Sequence, residues 1–129
     1  MSMDRQHVGL FGSTGSIGSS TLDVLARHPQ RFSVDVLAAH SRIEPLFEQI
    51  KRFRPAVVGL VDDSRRRELD ERLASLPPAH RPVVVTGQAA VDELAGDGRL
   101  DIVVAAVVGT AGLRSTWNAL AAGKRGRKL

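Results

Sequence analysis

The chain has 129 residues, 43% of them apolar and 25% charged, which suits one soluble α/β-sized domain and leaves too little for two ordinary ones. It contains no Cys and no Tyr, so disulfide frameworks, thiolate metal sites, cysteine nucleophiles and tyrosine-dependent chemistry are excluded. The net charge of +4 suggests an acidic partner, but four of the eighteen cations, Lys124, Arg125, Arg127 and Lys128, lie at the extreme end; without them fourteen cations balance fourteen acids.

In chain order, His7–Phe11 is a short apolar run ending at Gly12, which predicts a strand. Ser16–Arg27 carries Ile17, Leu22, Val24 and Leu25 and stops at His28-Pro29, as a helix does before proline. Phe32–Ala39 predicts a second strand, and Glu44–Arg54 sets Leu46, Phe47, Ile50 and Phe53 on one helical stripe. Ala56–Val61 follows as a third strand, then a charged helix over Asp62–Leu76 whose buried face is Leu69, Leu73 and Leu76. Val83–Thr86, Gln88–Leu94, Leu100–Val108 and Leu113–Ala122 continue the alternation, with Gly123 as a helix stop. Five β-α units with strands apolar on both faces predict a doubly wound, Rossmann-like parallel sheet covered on both sides.

The first strand runs straight into Gly12-Ser13-Thr14-Gly15-Ser16-Ile17-Gly18 and then a helix. Glycines at 12, 15 and 18 suit a dinucleotide pyrophosphate: a tight turn, close backbone approach, and a helix packed hard on the sheet. The helix then offers its free N–H groups and positive dipole end to the phosphates, with the Thr14 and Ser16 hydroxyls as further donors. No Gly-Lys-Ser/Thr closes the segment, so a nucleoside-triphosphate P-loop is not supported. The second strand ends in His40-Ser41-Arg42, with no acid for a ribose 2′-hydroxyl, since Asp35 sits too early in the strand. A cation and two polar groups favour a 2′-phosphate, hence NADPH over NADH.

The glycine loop with Thr21-Leu22-Asp23-Val24, the run from Val103 to Leu113 (VVAAVVGTAGL), Phe53-Arg54-Pro55 and Ala121-Ala122-Gly123-Lys124 together resemble 1-deoxy-D-xylulose 5-phosphate reductoisomerase over about residues 7 to 124. The resemblance implies an NADPH-dependent oxidoreductase and isomerase of isoprenoid biosynthesis that acts on 1-deoxy-D-xylulose 5-phosphate, needs divalent Mg or Mn, and is homodimeric. Carried over, Thr14, Gly15, Ser16 and Ile17 match the NADPH-contacting loop. His40, Ser41 and Arg42 fall on the 2′-phosphate segment, where His40 and Arg42 depart from the family's usual Gly and Asn. At Gly126-Arg127-Lys128-Leu129 the likeness breaks off, where the family continues with a sixth strand and an Ala-Asn-Lys-Glu motif.

The expectation is therefore a truncated NADPH-binding domain over 1–123, with the sixth strand missing and 124–129 a disordered basic tail. The family's catalytic and metal-binding residues are expected to lie beyond this chain, leaving it cofactor-binding and inactive alone. A non-catalytic NADP(H)-sensing module is the alternative. Short-chain reductases need a Tyr-x-x-x-Lys pair, and semialdehyde dehydrogenases a Cys, so neither fits. Four cations beside a neutral body make a poor nucleic-acid element. His7, His28, His40 and His80 lack metal-ligand spacing. No apolar run spans a membrane and no signal peptide opens the chain, which gives a cytoplasmic expectation.

Overall fold

Apolar strands separated by helices have one economical solution, in which each helix returns the chain so that the next strand lies parallel to the last. The computed structural model, which describes residues 5–106 and 125–128, follows it. Strands β1 (Gln6–Phe11), β2 (Phe32–Ala39), β3 (Val57–Leu60), β4 (Val83–Thr86), β5 (Ile102–Ala105) and β6 (Arg125–Lys128) form one sheet in the order β4-β3-β2-β1-β5-β6. Every neighbouring pair is parallel. Helices α1 (Ser16–Ala26), α2 (Ile43–Phe53), α3 (Arg66–Leu73) and α4 (Gln88–Leu94) make the crossovers.

The sheet divides the core in two. On one face Leu10, Leu37 and Leu60 pack with Leu22 of α1, Leu46 and Ile50 of α2, and Leu69 and Leu73 of α3. On the other, Phe11, Val36, Ala38 and Val57 pack with Val91 of α4, Ala95 and Leu100. Successive residues of β2 from Val36 to Ala39 thus serve opposite faces, the reason that half of the strand is apolar without alternation. Each large side chain buried this way contributes about 1.5–3 kcal/mol before entropy.

The five expected strands and the helices α1, α2 and α4 form with boundaries within two residues of expectation, except that β5, expected to run to Val108, ends at Ala105, and the described residues stop at Ala106 there. The expected helix over 62–76 is shorter: Asp62 caps a 3₁₀ turn over Asp63–Arg65 by accepting from the Ser64 amide, and only Arg66–Leu73 is α-helical. The helix expected over 113–122 lies outside the described residues.

The sheet carries a sixth strand at Arg125–Lys128, where the sequence reading expected none. Arg125–Lys128 pairs with β5 in parallel, from Ile102↔Arg125 to Ala105↔Lys128. The ladder uses backbone groups that any residue carries, and β5, paired with β1 on one side, offers a free edge on the other. Charged residues are what edge strands tolerate best. No helix among the described residues is long and apolar enough to cross a membrane.

Candidate functional site

The order of the strands reverses direction between β1 and β5, and in open α/β sheets a crevice forms outside the carboxyl ends of strands at such a point. Here it is a cleft of about 450 Å³. One wall is the loop Gly12–Ser16 with Ile17. The other is built from the ends of β1, β2 and β3 (Phe11, Ala38, Ala39, His40, Val61), with Gln88 and Val91 of α4 and Ala106 after β5.

The loop's shape follows from two of its glycines. Gly12 has φ 85°, a left-handed conformation that side chains resist, and turns the chain sharply off β1. Both Gly12 and Ser13 then donate their amides to the carbonyl oxygen of Ala38, at 2.8 and 3.0 Å, which ties the loop to β2. Gly18 is buried in the first turn of α1; a Cβ there would strike the Gly12 carbonyl oxygen and lie 2.9 Å from Ser13 backbone atoms. Close approach of α1 to the loop is possible only without that methyl.

Gly15 precedes α1 without any side-chain cap, so the first-turn amides, which lack partners within the helix, are left for another acceptor. Gln49 of α2 braces the loop from below, its Nε2 donating to the Ser13 carbonyl oxygen at 2.8 Å.

Of the seven sequence-predicted site residues, Thr14, Gly15, Ser16, Ile17 and His40 line the cleft. Ile17 is 45% exposed. Ser41 and Arg42 are not part of the lining but stand next to it, Arg42 exposed and reaching across so that its Nη1 donates to the Thr14 carbonyl oxygen at 3.1 Å. That leaves the other guanidinium donors on the rim of the cleft, beside the turn that follows β2.

Asp35 is removed from the site, as its sequence position implied. It accepts from the Ser33 hydroxyl, and its Oδ2 lies 2.7 Å from His7 Nδ1 in the opposite half of the sheet. Asp62 is tied to the rim residue His40, its amide donating to the His40 carbonyl oxygen at 2.8 Å. The Ser64 hydroxyl, 2.6 Å from Asp62 Oδ1, holds this carboxyl below its ordinary value; the Ser64 amide and the charges of His40 and Arg65 act in the same direction against partial desolvation. Asp62 is therefore a capping acid already engaged.

Sequence reading missed the apolar wall of Phe11, Ala38, Ala39, Val61 and Val91, and Gln88 beside it. The signal was available: these are the carboxyl ends of the expected strands and the start of the helix after β4, where such folds place ligands.

A doubly wound parallel sheet whose first strand delivers a glycine loop onto a helix N-terminus at the switch point defines a dinucleotide-binding domain of the Rossmann type. The sequence profile of 1-deoxy-D-xylulose 5-phosphate reductoisomerase matches residues 8–126, and the chain belongs to that family. Curated relatives bearing that name include one from a Psychrobacter species, 46% identical over 120 residues (93% of this chain and 28% of the relative). Another, from Cupriavidus metallidurans, is 45% identical over 122 residues (93% and 30%). Among solved structures, the reductoisomerase from Zymomonas mobilis in complex with NADPH superposes with a TM-score of 0.87 at 33% identity, covering 97% of this chain and 32% of that one. A reductoisomerase complex with NADPH, fosmidomycin and magnesium gives 0.84 at 36% identity, covering 94% and 29%. The chain thus spans less than a third of the length of these relatives.

Proposed function

We propose that this chain is the NADPH-binding portion of a 1-deoxy-D-xylulose 5-phosphate reductoisomerase of isoprenoid biosynthesis, and that NADPH lies in the cleft above the Gly12–Gly18 loop. The observation that carries this reading is the uncapped start of α1 behind a loop that leaves no room for a Cβ at Gly18, in a family with solved structures that hold NADPH. The first-turn amides and the Thr14 and Ser16 hydroxyls hold the pyrophosphate. The apolar wall of Ala38, Val61 and Val91 receives the adenine, and Ile17 covers the dinucleotide. His40, Ser41 and Arg42 take the ribose 2′-phosphate, with Arg42 contributing a charge-assisted bond beside the one it already makes to Thr14. When bound, NADPH supplies the hydride for the reduction half of the reaction; this chain's residues bind it, orient it and keep one face of the cleft apolar.

The substrate, 1-deoxy-D-xylulose 5-phosphate, and the divalent metal belong to the whole enzyme in this proposal. Among the described residues no group of three or more His, Asp or Glu side chains is placed to hold a metal ion, and no step is routed through one. The isolated chain is proposed to bind NADPH without turnover.

Calorimetric titration with NADPH and NADH tests the assignment. NADPH is expected to bind at least tenfold more tightly than NADH, since a charged hydrogen bond contributes about 1.5–3 kcal/mol and 1.4 kcal/mol is a factor of ten. Arg42→Ala should erase most of that preference while leaving NADH unchanged. Absence of heat with millimolar NADPH would sink the proposal, and oxidation of NADPH by the chain with magnesium and substrate would overturn the claim of inactivity.

A further inference from the structure

At the opposite end of the sheet a second cavity of about 500 Å³ opens between the end of α1, the start of β2 and the end of α2. Its lining is mostly polar, with Leu25, Phe32 and Phe53 as its apolar part; Arg5, Arg52 and Arg54 also line it, and no carboxylate is among the lining residues. Phe32 and Ala39 end the same strand, so this cavity and the cofactor cleft are separated by roughly 23 Å at 3.3 Å per residue.

The three guanidinium groups are differently committed. Arg5 Nη2 donates to the Phe32 carbonyl oxygen at 3.0 Å, and Arg52 Nη1 to Asp23 at 2.9 Å while lying 5.1 Å from the Phe53 ring centroid. Arg54 has no side-chain hydrogen bond or ion pair among the described residues, and its backbone is left-handed at φ 49°. Ser33 also lines the cavity, but its hydroxyl is given to Asp35, whose other oxygen holds His7. Asp23, which is not among the lining residues, engages only Arg52 of the three.

We propose that this cavity binds a small phosphate monoester with an aromatic or alkyl body. The phosphate sits between Arg5 and Arg54, whose planar donor forks match its oxygens in pairs, and the body lies on Phe32 and Phe53. Charge alone would suit any anion; two aromatic side chains beside the cations select an amphiphile. The site is separate from the NADPH cleft and stands whether or not that cleft takes NADPH.

Titration of the full chain with phenyl phosphate, inorganic phosphate and phenol, followed by calorimetry and amide NMR shifts, tests it. Phenyl phosphate is expected to bind at one site at least tenfold more tightly than either fragment, shifting the amides of Phe32, Phe53 and Arg54, with or without saturating NADPH. Arg54→Asn, which keeps a residue tolerant of left-handed φ, should weaken it at least tenfold, as should Arg5→Gln. Equal affinity for phenyl phosphate and inorganic phosphate overturns the proposal, as does displacement by NADPH. So does binding untouched by both variants. Should Arg54→Asn fail to fold, Arg5→Gln, whose side chain is exposed before β1, decides alone.

Discussion

Replacing Gly18 by alanine puts the smallest possible side chain at the tightest contact of the cofactor loop. In an ordinary helix interior the exchange would be favourable by about 1 kcal/mol, because alanine restricts the unfolded chain and suits the helix. Here the new Cβ meets the Gly12 carbonyl oxygen and the Cα and carbonyl carbon of Ser13, the latter two at 2.9 Å. These are backbone atoms pinned to Ala38 by two hydrogen bonds, so no side chain can swing aside. Either α1 lifts, loosening Leu22 from the core, or the loop moves. Overpacking of this kind costs about 1–3 kcal/mol, and a backbone obstacle places it at the upper end. Net of the helix gain, Gly18→Ala should lose about 2 kcal/mol, which at a urea m-value of about 2 kcal/mol per molar lowers the midpoint by about 1 M. NADPH affinity of the folded fraction should fall at least tenfold, because the amides no longer converge on one place. Gly98→Ala, where a Cβ meets nothing within 4 Å, is the control and should leave both readings unchanged. Urea unfolding followed by circular dichroism, with calorimetry for NADPH, makes the comparison. A Gly18→Ala chain as stable as the parent would refute the argument that close packing requires this glycine.

Three further outcomes are expected. The folded-state value of Asp62 is depressed, so its contribution to stability is complete above the ordinary carboxylate range and is lost as pH falls through the lowered value; the stability gap between the parent and Asp62→Ala should close on acidification below 3.8, and a gap independent of pH in urea melts would contradict this. Ile50→Ala, at a fully buried position between α2 and the sheet, should cost about 2–5 kcal/mol, and Ile50→Val about 0.5–1.5 kcal/mol; equal urea midpoints for the two would argue against tight packing there. Removing residues 125–129 should speed amide hydrogen exchange in Ile102–Ala105 and raise light scattering with concentration, since β5 then becomes the bare edge; unchanged exchange would show that β6 does not hold it.

Much of the fold was legible because burial on both faces of a parallel sheet writes itself as continuous apolar runs. Val36–Ala39 and Val57–Leu60 carry that signal, and the proline and glycine punctuation sets the ends. The glycine loop was equally plain, since Gly12 and Gly18 are each demanded by a local geometry. β6 was not legible: Arg125, Gly126, Arg127 and Lys128 have neither apolar content nor strand propensity, and what makes them a strand is the free edge of a partner about twenty residues away in sequence. The path of Arg42 to the Thr14 carbonyl and the left-handed backbone at Arg54 were hidden for the same reason. Both are set by where other elements stop, and single residues do not announce that.

The crossover from β4 back to the far side of β1 has a consequence in time. The loop at residues 12–18 is made well before Ile102–Ala105, the strand that gives β1 its second neighbour. At a synthesis rate of about 5–20 residues per second, some 90 residues take roughly 5–20 s. Through that interval β2 is the only neighbour β1 can have, and the wall supplied by Ala106 does not yet exist. A nascent chain would therefore hold a half-built cleft with one strand edge bare, and its exposure to chaperones or to a neighbouring chain is timed by the distance between residues 11 and 102 rather than by the strength of any contact.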